Sequence, residues 1–174
     1  MFSFYYPENF EMLADAGADL IEISSTQNND LEELDALYIG GGFPETNLDE
    51  LSSNKEMMSS LKNLVEEGLP VYAECGGLMY LAKSVSWKGK EYSLSGILPI
   101  KIIVEEKPQG HGYSEVVIDK ENSFFKTGTV IKGHEFHYSK IYEYDQSLKT
   151  SFSVLRGTGC FNKRDGLTYK NVCA

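Results

Sequence analysis

Apolar residues along this chain recur at two different spacings, and the spacing changes near its middle. In the first half, short apolar runs alternate with stripes repeating every three to four residues, which is the signature of strands alternating with amphipathic helices. Phe2-Ser3-Phe4-Tyr5 reads as a strand. Pro7 then stands where a helix tolerates proline best, at its first position, and Phe10, Met12, Leu13 and Ala16 form a stripe that Gly17 ends. Residues 19–24 read as a second strand, followed by a polar connector over 26–30 and a short acidic segment. Ala36-Leu37-Tyr38-Ile39 reads as a third strand running into Gly40-Gly41-Gly42-Phe43-Pro44-Glu45. Ser53 and Glu56 have capping-box spacing for a helix over 55–67, with Met57, Met58, Leu61, Leu64 and Val65 on its buried face and Gly68 at its end. Residues 69–73 are a further strand, and 78–85 carry helical spacing again. This β-α-β-α-β order predicts parallel strands with helices on their faces and right-handed crossovers.

The second half reads as β-rich. Residues 86–92 resemble a hairpin turning at Gly89, and runs of strand formers follow at 98–104, 113–118, 129–132, 140–144, 151–155 and 167–172. Arg164-Asp165-Gly166 reads as one of the turns between them. There is no internal repeat, low-complexity tract or linker, so residues 1–174 are expected to form one α/β domain. The expected core is a mostly parallel central sheet followed by a β-rich second half.

Composition narrows the function classes. A formal charge of −10 argues against nucleic acid, because phosphate binding needs a basic face that releases counterions. No lysine run offers a patch for anionic membranes, and no apolar run approaches the ~18 residues of a bilayer span. The N-terminus lacks the basic start and small-residue cleavage site of a signal peptide. Cys75, Cys160 and Cys173 are odd in number and form no CxxC, which suggests neither a disulfide framework nor a zinc site and points to a reducing cytoplasm.

The candidate chemistry centres on Tyr72-Ala73-Glu74-Cys75-Gly76-Gly77-Leu78. A strand that becomes a helix within so few residues makes a sharp elbow, and a nucleophile at its tip is pushed into a cleft, as in G-x-S-x-G hydrolases. Cys75 would sit at the helix N-terminus, where the dipole and the first N–H groups favour a thiolate. The competing reading is a small buried hydrophobe, the usual fate of a free cysteine. Gly40-Gly41-Gly42 lacks the lysine and Ser/Thr of a phosphate loop and does not match G-x-G-x-x-G. It reads better as a strand-end turn lending N–H groups opposite Cys75, with a plain tight turn as the alternative. Gly133-His134-Glu135-Phe136-His137-Tyr138-Ser139 holds two of the three histidines. If it is extended, Glu135, His137 and Ser139 share one face, which makes His137 the candidate base. His134 falls among aromatics on the other face, and His111 is a weaker alternative. H-E-x-H is not the H-E-x-x-H zinc signature, so no metal is expected.

These three motifs, together with the opening Phe2-Ser3-Phe4-Tyr5-Tyr6-Pro7-Glu8-Asn9 and Lys107-Pro108-Gln109-Gly110, resemble the glutaminase domains of the cobyrinic acid a,c-diamide synthase family nearly end to end. The resemblance implies a flavodoxin-like, class I (triad-type) glutamine amidotransferase fold. It implies Cys75 as the nucleophile forming a γ-glutamyl thioester, His137 as its base, and an oxyanion hole near Gly41, Gly42 and Gly76. L-glutamine would be the substrate, and no cofactor belongs to this domain. The ammonia would pass to an ATP- and magnesium-dependent synthetase domain of the same polypeptide, which amidates a corrinoid. Similar domains serve nickel sirohydrochlorin or lipid II amidation, and the elbow also occurs in cysteine peptidase and deglycase relatives. An inactive docking domain is the non-enzymatic alternative. Two positions depart from the wider pattern: Ser139 stands where most triad amidotransferases carry glutamate, leaving Ser139 or Glu135 to orient His137, and Met79 stands where a substrate-holding glutamine is common. By the same resemblance the synthetase half would lie before Phe2, and the end of the chain falls within a motif that usually continues.

Overall fold

The computed structural model describes residues 1–28, 31 and 33–174. Its elements follow the chain as β1 (Phe2–Phe4), α1 (Pro7–Asp15), β2 (Leu37–Ile39), β3 (Gly41–Gly42), a 3-10 turn (Pro44–Asn47), α2 (Leu48–Ser53), α3 (Lys55–Glu67), β4 (Val71–Ala73) and α4 (Gly76–Leu81). Only strands come after: β5 (Ala82–Trp87), β6 (Lys90–Ser93), β7 (Leu98–Val104), β8 (Gly110–Ile118), β9 (Val130–His137), β10 (Ser139–Tyr144), β11 (Lys149–Arg156), β12 (Arg164–Tyr169) and β13 (Val172–Cys173).

A seven-stranded sheet runs β2-β4-β13-β12-β11-β8-β9, and a four-stranded sheet runs β10-β7-β5-β6. The large sheet is mixed rather than mostly parallel. Only β2, β4 and β13 run parallel to one another, and every pair from β13 to β9 is antiparallel. The reason is connectivity: β11, β12 and β13 follow one another through short turns, and a tight turn can only reverse direction. The core lies where α2, α3 and α4 meet β4, β5 and β7, with Leu51, Leu61, Val65, Val71, Leu81 and Leu98 essentially inaccessible.

Several local expectations change. Helix α3 is capped by Asn54, whose Oδ1 accepts the Met57 N–H at 3.2 Å, while Ser53 closes α2 by donating to the Glu50 carbonyl. Gly68 ends α3 in the left-handed region at φ 112°. Helix α4 stops at Leu81 rather than at 85, because Ala82 onward is drawn into β5 between β6 and β7. The stripe of α1 exists, yet none of its residues is buried, and Met12 is 71% exposed. Residues 19–24 form no strand: β2 is the edge of its sheet, no ladder pairs with them, and Ile21 stays 63% exposed. Of the connector over 26–30, residues 29 and 30 lie outside the described residues. Arg164-Asp165-Gly166 opens β12 instead of making a turn, and 167–172 divides between β12 and β13. The hairpin of β5 and β6 turns at Lys88 and Gly89, both at positive φ as a two-residue hairpin loop requires.

Candidate active site

Strand β4 delivers Cys75 to the N-cap of α4 with φ 48° and ψ −99°, a backbone state that an L-residue holds only when its surroundings impose it. The surroundings are two close approaches. A Cβ on Gly77 would stand 2.4 Å from the Ile39 carbonyl oxygen of β2, and one on Gly76 would stand 3.0 Å from the Gly42 nitrogen. Only glycines let α4 begin this close to β2 and β3. Glu74, just before Cys75, is held by the Tyr38 hydroxyl, which donates to its Oε2 at 2.9 Å. Its backbone N–H donates to the Ile39 carbonyl. Burial, aided by Glu74, pushes the Tyr38 phenol up to about 12, so it remains a donor.

Cys75 is exposed as a residue, but protein around its thiol raises the thiol above the ordinary cysteine range. The backbone N–H groups of Gly42 and Gly76 act in the opposite direction, while the charges of Glu45 and Glu74 push it further up. Gly42 and Gly76 therefore lie at Cys75, and a Cβ on Gly41 would stand 3.7 Å from Cys75 Cβ. With only six residues in α4, these two directed N–H groups rather than a long helix dipole are what the thiol meets. Strand β3, which carries Gly41 and Gly42, is pinned from the other side by β1 through the pairs Phe2↔Gly42 and Phe4↔Gly41.

His137 closes the opposite wall at the end of β9, lining the same cleft as Cys75, Gly42, Phe43, Glu45 and Ser139. Its Nδ1 donates to the carbonyl oxygen of Ser139 at 2.8 Å, which in the neutral ring leaves the lone pair on Nε2. Ser139 thus orients the histidine through its backbone, not its hydroxyl. Glu135 shares the face, as alternation requires, with Oε2 3.9 Å from His137 Nε2. That carboxylate is fixed in turn by the N–H groups of Thr158 at 2.5 Å and Gly159 at 3.1 Å. No hydrogen bond joins Cys75 to His137 among the described residues. His134 takes the other face, within 3.3 Å of the Tyr6 hydroxyl, and His111 packs edge-on against Phe136.

Further participants have no obvious mark in the sequence. A Cβ on Gly110 would fall 2.3 Å from His137 Nε2, so the ring occupies the space that any larger residue would fill. Asp165 is partly buried, accepting the Cys160 thiol proton at 2.9 Å and the Gly166 N–H at 2.8 Å. Desolvation raises its carboxyl, and the bonds from Cys160 and Gly166 offset part of that rise. Glu45 reaches the cleft from the 3-10 turn, three residues after the glycine run. The cleft is small, about 20 Å³, and open to solvent, with the exposed Phe43 and Phe136 in its lining. No group of three or more His, Cys, Asp or Glu is arranged to hold a metal among the described residues, and none of their helices is long and apolar enough to cross a membrane.

Comparison with known proteins bears on the family and the fold. A cobyrinate a,c-diamide synthase of Caldanaerobacter subterraneus is 47% identical over 175 residues, and one of Magnetococcus marinus is 40% identical over 173. Each alignment takes in 99% of this chain but only 38% and 37% of the relative, so the chain spans well under half the length of the curated relatives it matches. A crystal structure of a glutamine amidotransferase superposes with a TM-score of 0.67 over 96% of this chain and 81% of that one, at 17% identity, which is likeness of fold. The model of one family, the CobB/CobQ-like glutamine amidotransferase domain, matches residues 1–174 from end to end. The chain belongs to that family.

Proposed function

We propose that this domain hydrolyses L-glutamine to L-glutamate and ammonia, and that the ammonia serves the amidation of cobyrinic acid. The Cys75 thiolate attacks the carboxamide carbon, and the oxygen that gains charge is received by the N–H groups of Gly42 and Gly76. As the tetrahedral adduct collapses, the C–N bond breaks and the proton taken by His137 goes to the leaving nitrogen, giving ammonia and a thioester. Water then attacks the thioester carbon, His137 accepts its proton, and glutamate leaves as the sulfur is freed. Glu135 stabilises the imidazolium formed in each half, and the Ser139 carbonyl keeps the ring oriented. ATP and magnesium would be used outside these residues, by the synthetase portion of a longer cytoplasmic polypeptide, to activate the corrinoid carboxylates.

The observation that carries this reading is a thiol on a strained elbow, facing two directed N–H groups and sharing a cleft with an oriented imidazole. The test uses the longest natural polypeptide containing this chain, with ATP and cobyrinic acid. Cys75→Ser should abolish glutamine-dependent amidation and leave ammonia-dependent amidation intact; a variant that still uses glutamine excludes the nucleophile. His137→Ala should lower glutaminase turnover about 10²- to 10⁴-fold. A loss under tenfold would place the base outside these residues.

A further inference from the structure

Carboxylates surround the nucleophile, and all but one are engaged. Glu74 accepts from Tyr38, Glu135 from the Thr158 and Gly159 N–H groups, and Asp165 from Cys160 and Gly166. Glu45 differs. It is half-buried on a turn that begins at the buried Pro44, and it lines the cleft beside Cys75. Among the described residues no lysine, arginine or histidine forms an ion pair with it, and the cleft lining contains neither lysine nor arginine. Only its own backbone N–H counters the desolvation of its carboxyl. Taken alone the placement works against catalysis, because a negative charge there opposes formation of the thiolate. A cation delivered by the substrate would remove that penalty.

We propose that Glu45 binds the α-ammonium group of glutamine, selecting α-amino acids over simple ω-amides and relieving the repulsion on the Cys75 thiolate only when substrate is in place. The inference rests on the glutaminase reading above. Its geometry is that of a short molecule: three bonds separate the α-carbon of glutamine from the carboxamide carbon, so the group that grips the ammonium must share the small cleft that holds the sulfur. Glu45 is the carboxylate of that cleft without another task.

The experiment compares L-glutamine with glutaramate, which keeps the carboxamide and carboxylate but lacks the amino group, on the longest natural polypeptide containing this chain. Glu45→Gln should raise KM for L-glutamine by about 30-fold, the scale of a lost charge-assisted hydrogen bond, with kcat changed by less than about threefold. Turnover of glutaramate should be unchanged or improved, and Glu45→Asp should fall between. Alkylation of Cys75 by iodoacetamide without substrate should be faster in Glu45→Gln at fixed pH. The other groups that bear on the thiol, Glu74 and the N–H groups of Gly42 and Gly76, are the same in both proteins, as is His137 across the cleft. A KM for L-glutamine within threefold of wild type, or an equal loss with both amides, overturns the assignment. Glutamine turnover that survives Cys75→Ser overturns the glutaminase reading itself, a separate result. A folding defect is recognised by loss of turnover with glutaramate and of selective Cys75 labelling together, which also counts against the assignment.

Discussion

At Cys75 the backbone is held at φ 48° and ψ −99°, and a non-glycine residue so placed stores on the order of 1–3 kcal/mol. The strain is tied to the presence of a Cβ. Cys75→Gly should therefore be more stable than Cys75→Ala by roughly 1 kcal/mol, and on the proposed mechanism neither should turn over glutamine. Urea denaturation of the two variants decides it, and equal midpoints would show the elbow to be relaxed. Asp165 stores free energy differently. Its carboxyl is raised in the folded protein by burial, so between its unfolded value and its raised folded value the native state binds more protons than the unfolded chain. Stability contributed by this group is full below the unfolded value and is lost as pH rises through the folded one. Asp165→Asn keeps an oxygen to accept from Cys160 and Gly166, and should be more stable than wild type near pH 7 to 8, with the gap closing toward the unfolded carboxylate value of about 4. Denaturation curves across that range would reveal a constant gap if the charge does not matter. Cys75 was legible because its neighbours Gly76 and Gly77 announce a close approach. Ser139 was named beside His137, but not that its carbonyl would hold the ring, since a carbonyl is common to every residue; Glu45 was not legible, since a lone glutamate after a turn has no pattern to betray its neighbours.

Helices and strands were readable to the extent that their own residues decide them. Helix α3 shows its period, its stop at Gly68 and its buried methionines, and it spans Lys55–Glu67 as expected; only the identity of the cap required knowing that Ser53 was already used by α2. Residues 19–24 show the opposite case, because alternation proposes a strand but a neighbour must complete it. Helix α4 is cut short for the same reason: β6 and β7 offer Ala82–Trp87 backbone partners that a helix could not better. The seat of α4 on the sheet depends on one missing methyl group. In Gly77→Ala the new Cβ meets the Ile39 carbonyl at 2.4 Å, backbone against backbone, with no flexible side chain to give way. The substitution should cost about 1–3 kcal/mol and lower Cys75 alkylation by tilting the elbow. A thermal midpoint unchanged within 1 °C, in the manner of a neutral surface substitution, would contradict the tight seat.

Across the whole molecule, the cleft is made where the two halves of the chain meet. The sulfur comes from the parallel end of the large sheet, the imidazole from its antiparallel far strand, and β13 returns to join β4 so that the two belong to one sheet. Each half was recognisable by its periodicity, but which strand of the second half would lie beside which strand of the first was not, because hydrogen-bond ladders carry no mark in the residues that make them. One such ladder reaches the chemistry from an unexpected direction. Met1 and Phe2 press so closely on Gly42 that a Cβ there would sit 2.0 Å from the Met1 carbonyl oxygen, and Phe4 pairs with Gly41. The amino end of the domain therefore packs directly on the glycines proposed to receive charge. If Gly42 has that role, shifting Met1 or Phe2 should change glutamine turnover while leaving Cys75 and His137 untouched.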